Sequence, residues 1–113
     1  MLSLGIRILN LEEKSRTILA LTQQLFERID QSDSELFATL QRRRDNLIHE
    51  VALESSDIDD SDARLDIIRS TLTETKLIND KMASILAVRE AELIKEKRAL
   101  SKAKKMKNAY QGH

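Results

Sequence analysis

Apolar residues recur every seven positions along much of the chain, a spacing typical of helices that bury one face. The first run predicts a helix over about residues 6–30 and consists of Leu4, Leu11, Ile18 and Leu25. The last run predicts a much longer helix over about residues 61–108. Its members are Leu65, Leu72, Asn79, Leu86, Leu93 and Leu100, with Ile68, Met82 and Ala103 three positions further on.

Between these runs, the pattern predicts a second helix over about residues 33–53. Ser32 followed by Glu35 matches a capping box, in which each side chain satisfies a free backbone N–H of the other residue. The connection at residues 30–31 is short, so the first two helices should form an antiparallel hairpin. An acidic, serine-rich loop then leads to Asp60 or Ser61, either of which could cap the third helix.

The predicted third helix is longer than a small bundle requires. No proline or glycine lies between Leu65 and Tyr110, and a helix of about 45 residues would measure ~70 Å. We expect it to pack on the hairpin up to about Leu86, which leaves Leu93, Leu100 and Met106 for another contact. The predicted fold is an all-α single domain over residues 1–113: an antiparallel three-helix bundle with a long C-terminal helix. A break between Glu90 and Ala99 into a short fourth helix is the alternative.

Composition agrees with a helical protein and restricts its surroundings. The chain is 41% hydrophobic and 34% charged, and its 19 basic residues balance 19 acidic ones, so net charge indicates no partner. It contains no cysteine, which fits a reducing compartment and excludes disulfides and thiolate metal sites. We see no signal peptide and no apolar run of membrane-spanning length, so we expect a cytoplasmic protein without membrane insertion.

Catalytic chemistry has little support in the sequence. Asp45 and His49 are four apart on the second helix and Glu50 is adjacent, but no third convergent ligand accompanies them. No glycine-rich phosphate loop or nucleophile motif is present. We therefore expect no enzyme activity, no cofactor and no metal, and we interpret these residues as a solvated helix face.

Two polar features of the predicted bundle allow two interpretations each. Arg42, Arg43 and Arg44 could bind phosphate or a carboxylate-rich partner, but Asp45 and Glu50 follow them, which favours a solvated face. Asn79 interrupts the leucine ladder. It either sets helix register in a buried position or turns outward while Ile78 and Ile85 fill the core.

The lysine-rich end, residues 95–107, holds seven bases against one acid. Phosphate contacts with nucleic acid, an anionic membrane surface and a solubilising terminal helix are the three interpretations. Tyr110 is the only tyrosine. Its ring either contacts a partner or folds back over Met106 and Ala103.

The C-terminal residues resemble a known family. The segments 88–93 (VREAEL) and 101–110 (SKAKKMKNAY) are similar to the end of flagellar export chaperones of the FliT type, which are small, helical, cysteine-poor cytoplasmic proteins. The family's Arg-x-x-x-Leu segment falls on Arg89 to Leu93, and the distance to Tyr110 fits without a gap. The resemblance is best over residues 70–110. The first two helices agree in length, order and amphipathic pattern only.

The resemblance implies binding rather than catalysis. Such chaperones hold the helical C-terminal region of the filament-cap protein, prevent its premature assembly and deliver it to the type III export gate and ATPase components. By this resemblance, Asn108 and Tyr110 would dock at the export gate. The client would bind an apolar face of the third helix that comprises Ile78, Met82, Ile85, Leu86, Arg89 and Leu93.

Two other functions remain open from the sequence. The leucine ladder could form a self-associating coiled coil, with a homodimer as its expected form. The basic end could bind nucleic acid, although we do not expect this. A stable dimer at low concentration would favour the first alternative, and a salt-dependent shift of DNA or RNA would favour the second.

Overall fold

The computed structural model describes residues 3–111, which form three α-helices and no strand. Helix α1 is Leu4–Glu27, α2 is Glu35–Ser55 and α3 is Asp66–Gln111. Short 3₁₀ turns at Ile29–Gln31 and Ala63–Leu65 lie between them. The all-α prediction with a long third helix is confirmed. Helix α3 is continuous over its 46 residues, so the alternative break between Glu90 and Ala99 is absent.

The second helix begins two residues later than predicted. Its cap is Ser34, whose hydroxyl accepts a hydrogen bond from the backbone N–H of Phe37 at 3.1 Å. The predicted cap, Ser32, instead ends the preceding 3₁₀ turn. That turn replaces the last residues predicted for the first helix, because α1 ends where the backbone N–H of Arg28 donates to the carbonyls of Gln24 and Leu25. Ile29, in the turn, is buried.

The third helix also begins later than predicted, and neither Asp60 nor Ser61 caps it. Asp62 accepts the backbone N–H of Arg64 at 3.0 Å and starts the 3₁₀ turn that precedes α3. The guanidinium of Arg64 contacts the same carboxylate at 2.7 Å. These hydrogen bonds stabilise the charged carboxylate and lower the pKa of Asp62 from 3.8 to about 2.

The chain divides into two compact units, Met1–Met82 and Ala83–His113. In the first, which we call the bundle unit, all three helices and the loop before α3 contribute to one aliphatic core. The core contains Ile8, Leu11, Ile18, Val51, Ile58, Leu65 and Ile68, with Leu47 and Leu72 partly buried against it. Most of these residues lie on the predicted seven-residue runs, so the runs identify the buried faces correctly.

Ion pairs from α1 to α2 and to the loop just after it show that the two helices are antiparallel. Arg7 contacts Asp57 at 2.5 Å, and Lys14, one heptad later, contacts Glu50 at 3.3 Å and also Glu54. The later residue on α1 therefore pairs with earlier residues on the second segment, as antiparallel helices require. The Arg7 guanidinium lowers the pKa of Asp57, and the hydrogen bond to Glu54 raises the pKa of Lys14. These pairs are exposed to solvent, which screens their charges, so they contribute little to stability.

Polar residues occupy core positions that the sequence pattern did not identify. Ser15, Thr22 and Thr75 are buried. The hydroxyls of the two threonines donate to backbone carbonyls one turn earlier, Thr22 to Ile18 at 2.8 Å and Thr75 to Thr71 at 2.9 Å. The Ser15 hydroxyl has no hydrogen-bond partner within residues 3–111.

The interpretation of the triple arginine as a solvated face is wrong for one of its members. Arg42 and Arg43 are exposed, but Arg44 is only 8% exposed. Its guanidinium donates to Asn79 at 2.9 Å and to Asp45 at 3.2 Å. Asn79 is half-buried, so it is neither turned fully outward nor fully buried, and Ile78 and Ile85 are half-buried as well. Asn79 is the α3 partner of a buried cation on α2.

Candidate protein-binding surface

The polar residues of α2 that could serve as metal ligands lie on its exposed surface. Asp45, His49 and Glu50 are all exposed, and two of them have other partners: Asp45 contacts Arg44, and Glu50 contacts Lys14. Across the described part of the chain, no three metal-ligating side chains converge.

Within residues 3–111, no helix combines the length and the apolar character needed to cross a bilayer.

The second unit contains the part of α3 from Ala83 onward, and most of this part is exposed. Every residue from Glu90 to Gln111 is exposed. The large apolar side chains are included, with Leu93 at 56%, Leu100 at 71% and Tyr110 at 83% exposure. Met106 is also exposed, so the ring of Tyr110 is not buried on its own helix. Exposed apolar side chains in this density mark a surface that binds other molecules.

These apolar side chains share one side of the helix. At about 100° per residue, they fall within an arc of about 160°. We call this arc the C-terminal apolar face, and it consists of Ile85, Leu86, Val88, Leu93, Leu100, Ala103, Met106 and Tyr110. Its first turns carry a shallow depression lined by Ser84, Ile85, Val88, Arg89 and Glu92. A partner helix could place apolar side chains along this arc.

The client-binding residues expected from the resemblance differ in accessibility. In the bundle unit, Met82 is buried at 5% exposure and Ile78 is half-buried. In the C-terminal unit, Ile85, Leu86 and Arg89 are half-buried and Leu93 is exposed. Leu93 is therefore the residue of this set that the unbound chain presents most openly.

The two residues expected to dock at the export gate are both exposed. Asn108 and Tyr110 lie in the last turns of α3, two positions apart, and therefore point to different sides of the helix. Tyr110 belongs to the C-terminal apolar face, whereas Asn108 lies outside it. An exposed tyrosine offers a partner both a large apolar area and a polar tip.

Four large, exposed apolar residues of this unit were not among the expected site residues: Val88, Ile94, Leu100 and Met106. Val88 lies on the C-terminal apolar face, and Ile94 lies on the other side of the helix. The seven-residue spacing missed Val88 because it selects one narrow stripe, whereas the apolar arc is wider. A count of apolar positions at both i+3 and i+4 would have found it.

An exposed apolar face on a helix is typical of surfaces that bind another polypeptide. The family model described as flagellar protein FliT matches residues 12–112, almost the whole chain. The chain therefore belongs to the FliT family, a family of flagellar export chaperones. Comparison with curated proteins and with solved structures gives no match.

Proposed function

We propose that this protein is a cytoplasmic chaperone that binds the helical C-terminal region of the flagellar filament-cap protein. It keeps the cap protein from assembling prematurely and delivers it to the type III export apparatus. Family membership and the exposed C-terminal apolar face support this proposal, because a helix with uncovered leucines can shield an equivalent stripe on a client.

The proposed client-binding residues are Ile78, Met82, Ile85, Leu86, Arg89 and Leu93. Leu93 carries the proposal, because it is the most exposed apolar residue of this set and therefore gains most from burial by a partner. The half-buried members would contribute their accessible parts to the contact. The proposed export-gate docking residues are Asn108 and Tyr110, at the exposed end of the same helix.

The experiment that tests the proposal mixes the purified chain with the C-terminal helical fragment of the filament-cap protein. Light scattering coupled to size exclusion should show a complex of defined mass, and the fragment should no longer oligomerise. A control fragment from the non-helical part of the cap protein should elute separately. Absence of any complex at micromolar concentrations would contradict the proposal.

Self-association is the second candidate, and one observation favours it. Leu93 and Leu100 are seven apart and both exposed, as expected for one strand of a coiled coil. Light scattering of the chain alone distinguishes the two functions. A dimer that persists on dilution and excludes the cap-protein fragment would support the structural coiled coil.

A further inference from the structure

The two units of this neutral chain carry opposite charges. Eight of the nineteen bases and three of the nineteen acids lie from Ala83 onward, so that part carries a formal charge of +5 and the bundle unit −5. The excess is greatest at the end of α3. From Lys97 to Gln111, six bases and no acid are present, and all of these residues are exposed.

Among these bases, Lys97 and Lys104 lie beside the C-terminal apolar face, and Lys107, seven positions after Leu100, lies within its arc. Lys97 is three positions before Leu100 and Lys104 is four positions after it, so all three share one side of α3. Arg98 directly follows Lys97 in the sequence, and Lys105 directly follows Lys104. At about 100° per residue, they lie on the opposite side of the helix from Leu100.

The position of these lysines restricts what can cover the apolar face. A helix that buries Leu100 must place its own flanking side chains next to Lys97 and Lys104. Acidic flanks would be attracted, whereas basic flanks would be repelled. Nucleic acid could use the charge but offers no apolar stripe for Leu93 and Leu100, so the combination favours a polypeptide.

We propose that the segment from Leu93 to Met106 docks an amphipathic client helix whose apolar stripe is flanked by aspartate and glutamate. This inference rests on the proposed function, because it specifies the chemistry of the client helix. Lys97 and Lys104 select the acidic flanks, and the leucines supply the apolar contact.

The first experiment uses the full chain and three designed, fluorescently labelled helical peptides. Each carries the same leucine stripe, and its flanking positions are all Glu, all Gln or all Lys. Fluorescence anisotropy should rank their affinities in that order, with about tenfold between neighbouring peptides. The differences should shrink as salt rises from about 0.1 M to about 1 M, because the Debye length falls from about 10 Å to about 3 Å. Equal affinities would overturn the inference.

A matched pair of charge reversals tests the assignment to Lys97 and Lys104. The K97E/K104E variant should lose about tenfold in affinity for the Glu-flanked peptide and gain affinity for the Lys-flanked peptide. R98E/K105E makes the same charge change on the opposite side and should lose less than about threefold. The gain for the Lys-flanked peptide shows that the first variant is folded. Equal losses in both variants would overturn the assignment.

Two further measurements separate this inference from the proposed function. If the cap-protein fragment binds the wild type and K97E/K104E equally well, the inference fails while the proposed function stands. If the Glu-flanked peptide binds and the cap-protein fragment does not, the proposed function fails instead. A duplex DNA that displaces the Glu-flanked peptide at physiological salt would overturn the choice of a polypeptide partner.

Discussion

Arg44 on α2 donates a hydrogen bond from its guanidinium to the side-chain oxygen of Asn79 on α3, 2.9 Å away. The two residues are 35 positions apart in sequence, and this contact joins two helices of the bundle unit. The arginine is buried, so its charge depends on the few acceptors that face it.

The first prediction concerns this pair. Asn79→Leu should lower the free energy of unfolding by about 1–3 kcal/mol, because it leaves a buried donor without its acceptor. The double variant Arg44→Met, Asn79→Leu should recover most of the loss, because both partners are then apolar. Urea denaturation of both single variants and the double variant measures the coupling. Additive losses would show that the contact contributes nothing.

Ser15 carries a second stability prediction. Its hydroxyl is buried without a hydrogen-bond partner within residues 3–111. Ser15→Ala should therefore raise the free energy of unfolding by about 1 kcal/mol, through lower desolvation cost and higher helix propensity. Thr22→Ala is the control, because it removes a buried hydroxyl that does have a partner, and it should destabilise the protein. Loss of stability in Ser15→Ala would contradict the prediction.

Leu93 tests the client-binding face directly. Leu93→Ala should change the free energy of unfolding by less than about 0.5 kcal/mol, because the side chain is largely exposed. It should weaken binding of the cap-protein fragment by tenfold or more, by about 2 kcal/mol of lost apolar contact. Leu77→Ala is the matched control, since Leu77 is equally exposed on α3 but lies in the bundle unit. Equal effects of the two changes on calorimetric affinity would exclude Leu93 as a specific contact.

Tyr110 separates client binding from delivery. Tyr110→Ala should leave stability and client affinity almost unchanged, because the ring is 83% exposed, and should abolish binding to the export-gate component. Tyr110→Phe should retain part of that binding through its ring. Surface plasmon resonance with the gate component measures both variants. An unfolded Tyr110→Ala protein would show that the ring has a structural role.

Asp62 gives a pH-dependent prediction. Its pKa is about 2 in the folded chain and 3.8 in the free residue, so its stabilising contribution is complete above 3.8 and is lost as the pH falls to about 2. The difference in urea midpoint between the wild type and Asp62→Asn should therefore shrink over that interval. Arg64→Gln removes the main cause of the lowered pKa of Asp62. In that background, the Asp62→Asn change should therefore alter the urea midpoint less. A difference that stays constant down to about pH 2 would contradict the assignment.

Periodicity was sufficient to predict much of the bundle. Leu11, Ile18, Leu65 and Ile68 lie on the seven-residue runs, and all four are in the core, because burial of an apolar stripe is the main force that orients a helix. Thr75 occupies the same register as Ile68 but is polar, so an apolar pattern does not select it.

Helix boundaries and polar contacts were harder to predict. Ser32 and Ser34 both have the local chemistry of a cap, and packing of Phe37 and the 3₁₀ turn decides between them. The sequence indicated that Arg44 is solvated because the acidic residues Asp45 and Glu50 follow it. Its partner Asn79 is 35 residues away, and only the tertiary fold brings the two together.

The candidate site was predictable in its location but not in its accessibility. Met82 and Leu93 both belong to the last predicted run, yet Met82 is buried and Leu93 is exposed. The spacing of apolar residues along one helix records which face is apolar. The spacing contains no information about where the covering helices end. The exposed residues of the leucine ladder could therefore be identified only from the structure.

The separation of charge between the units has a practical consequence for anyone purifying the protein. With a sequence pI near 6.7, the whole molecule is almost uncharged at neutral pH. Its two units nevertheless carry net charges of opposite sign, so the protein should bind to both cation-exchange and anion-exchange resins in dilute buffer. Precipitation in water and recovery with moderate salt should follow, as with other dipolar proteins near their isoelectric point.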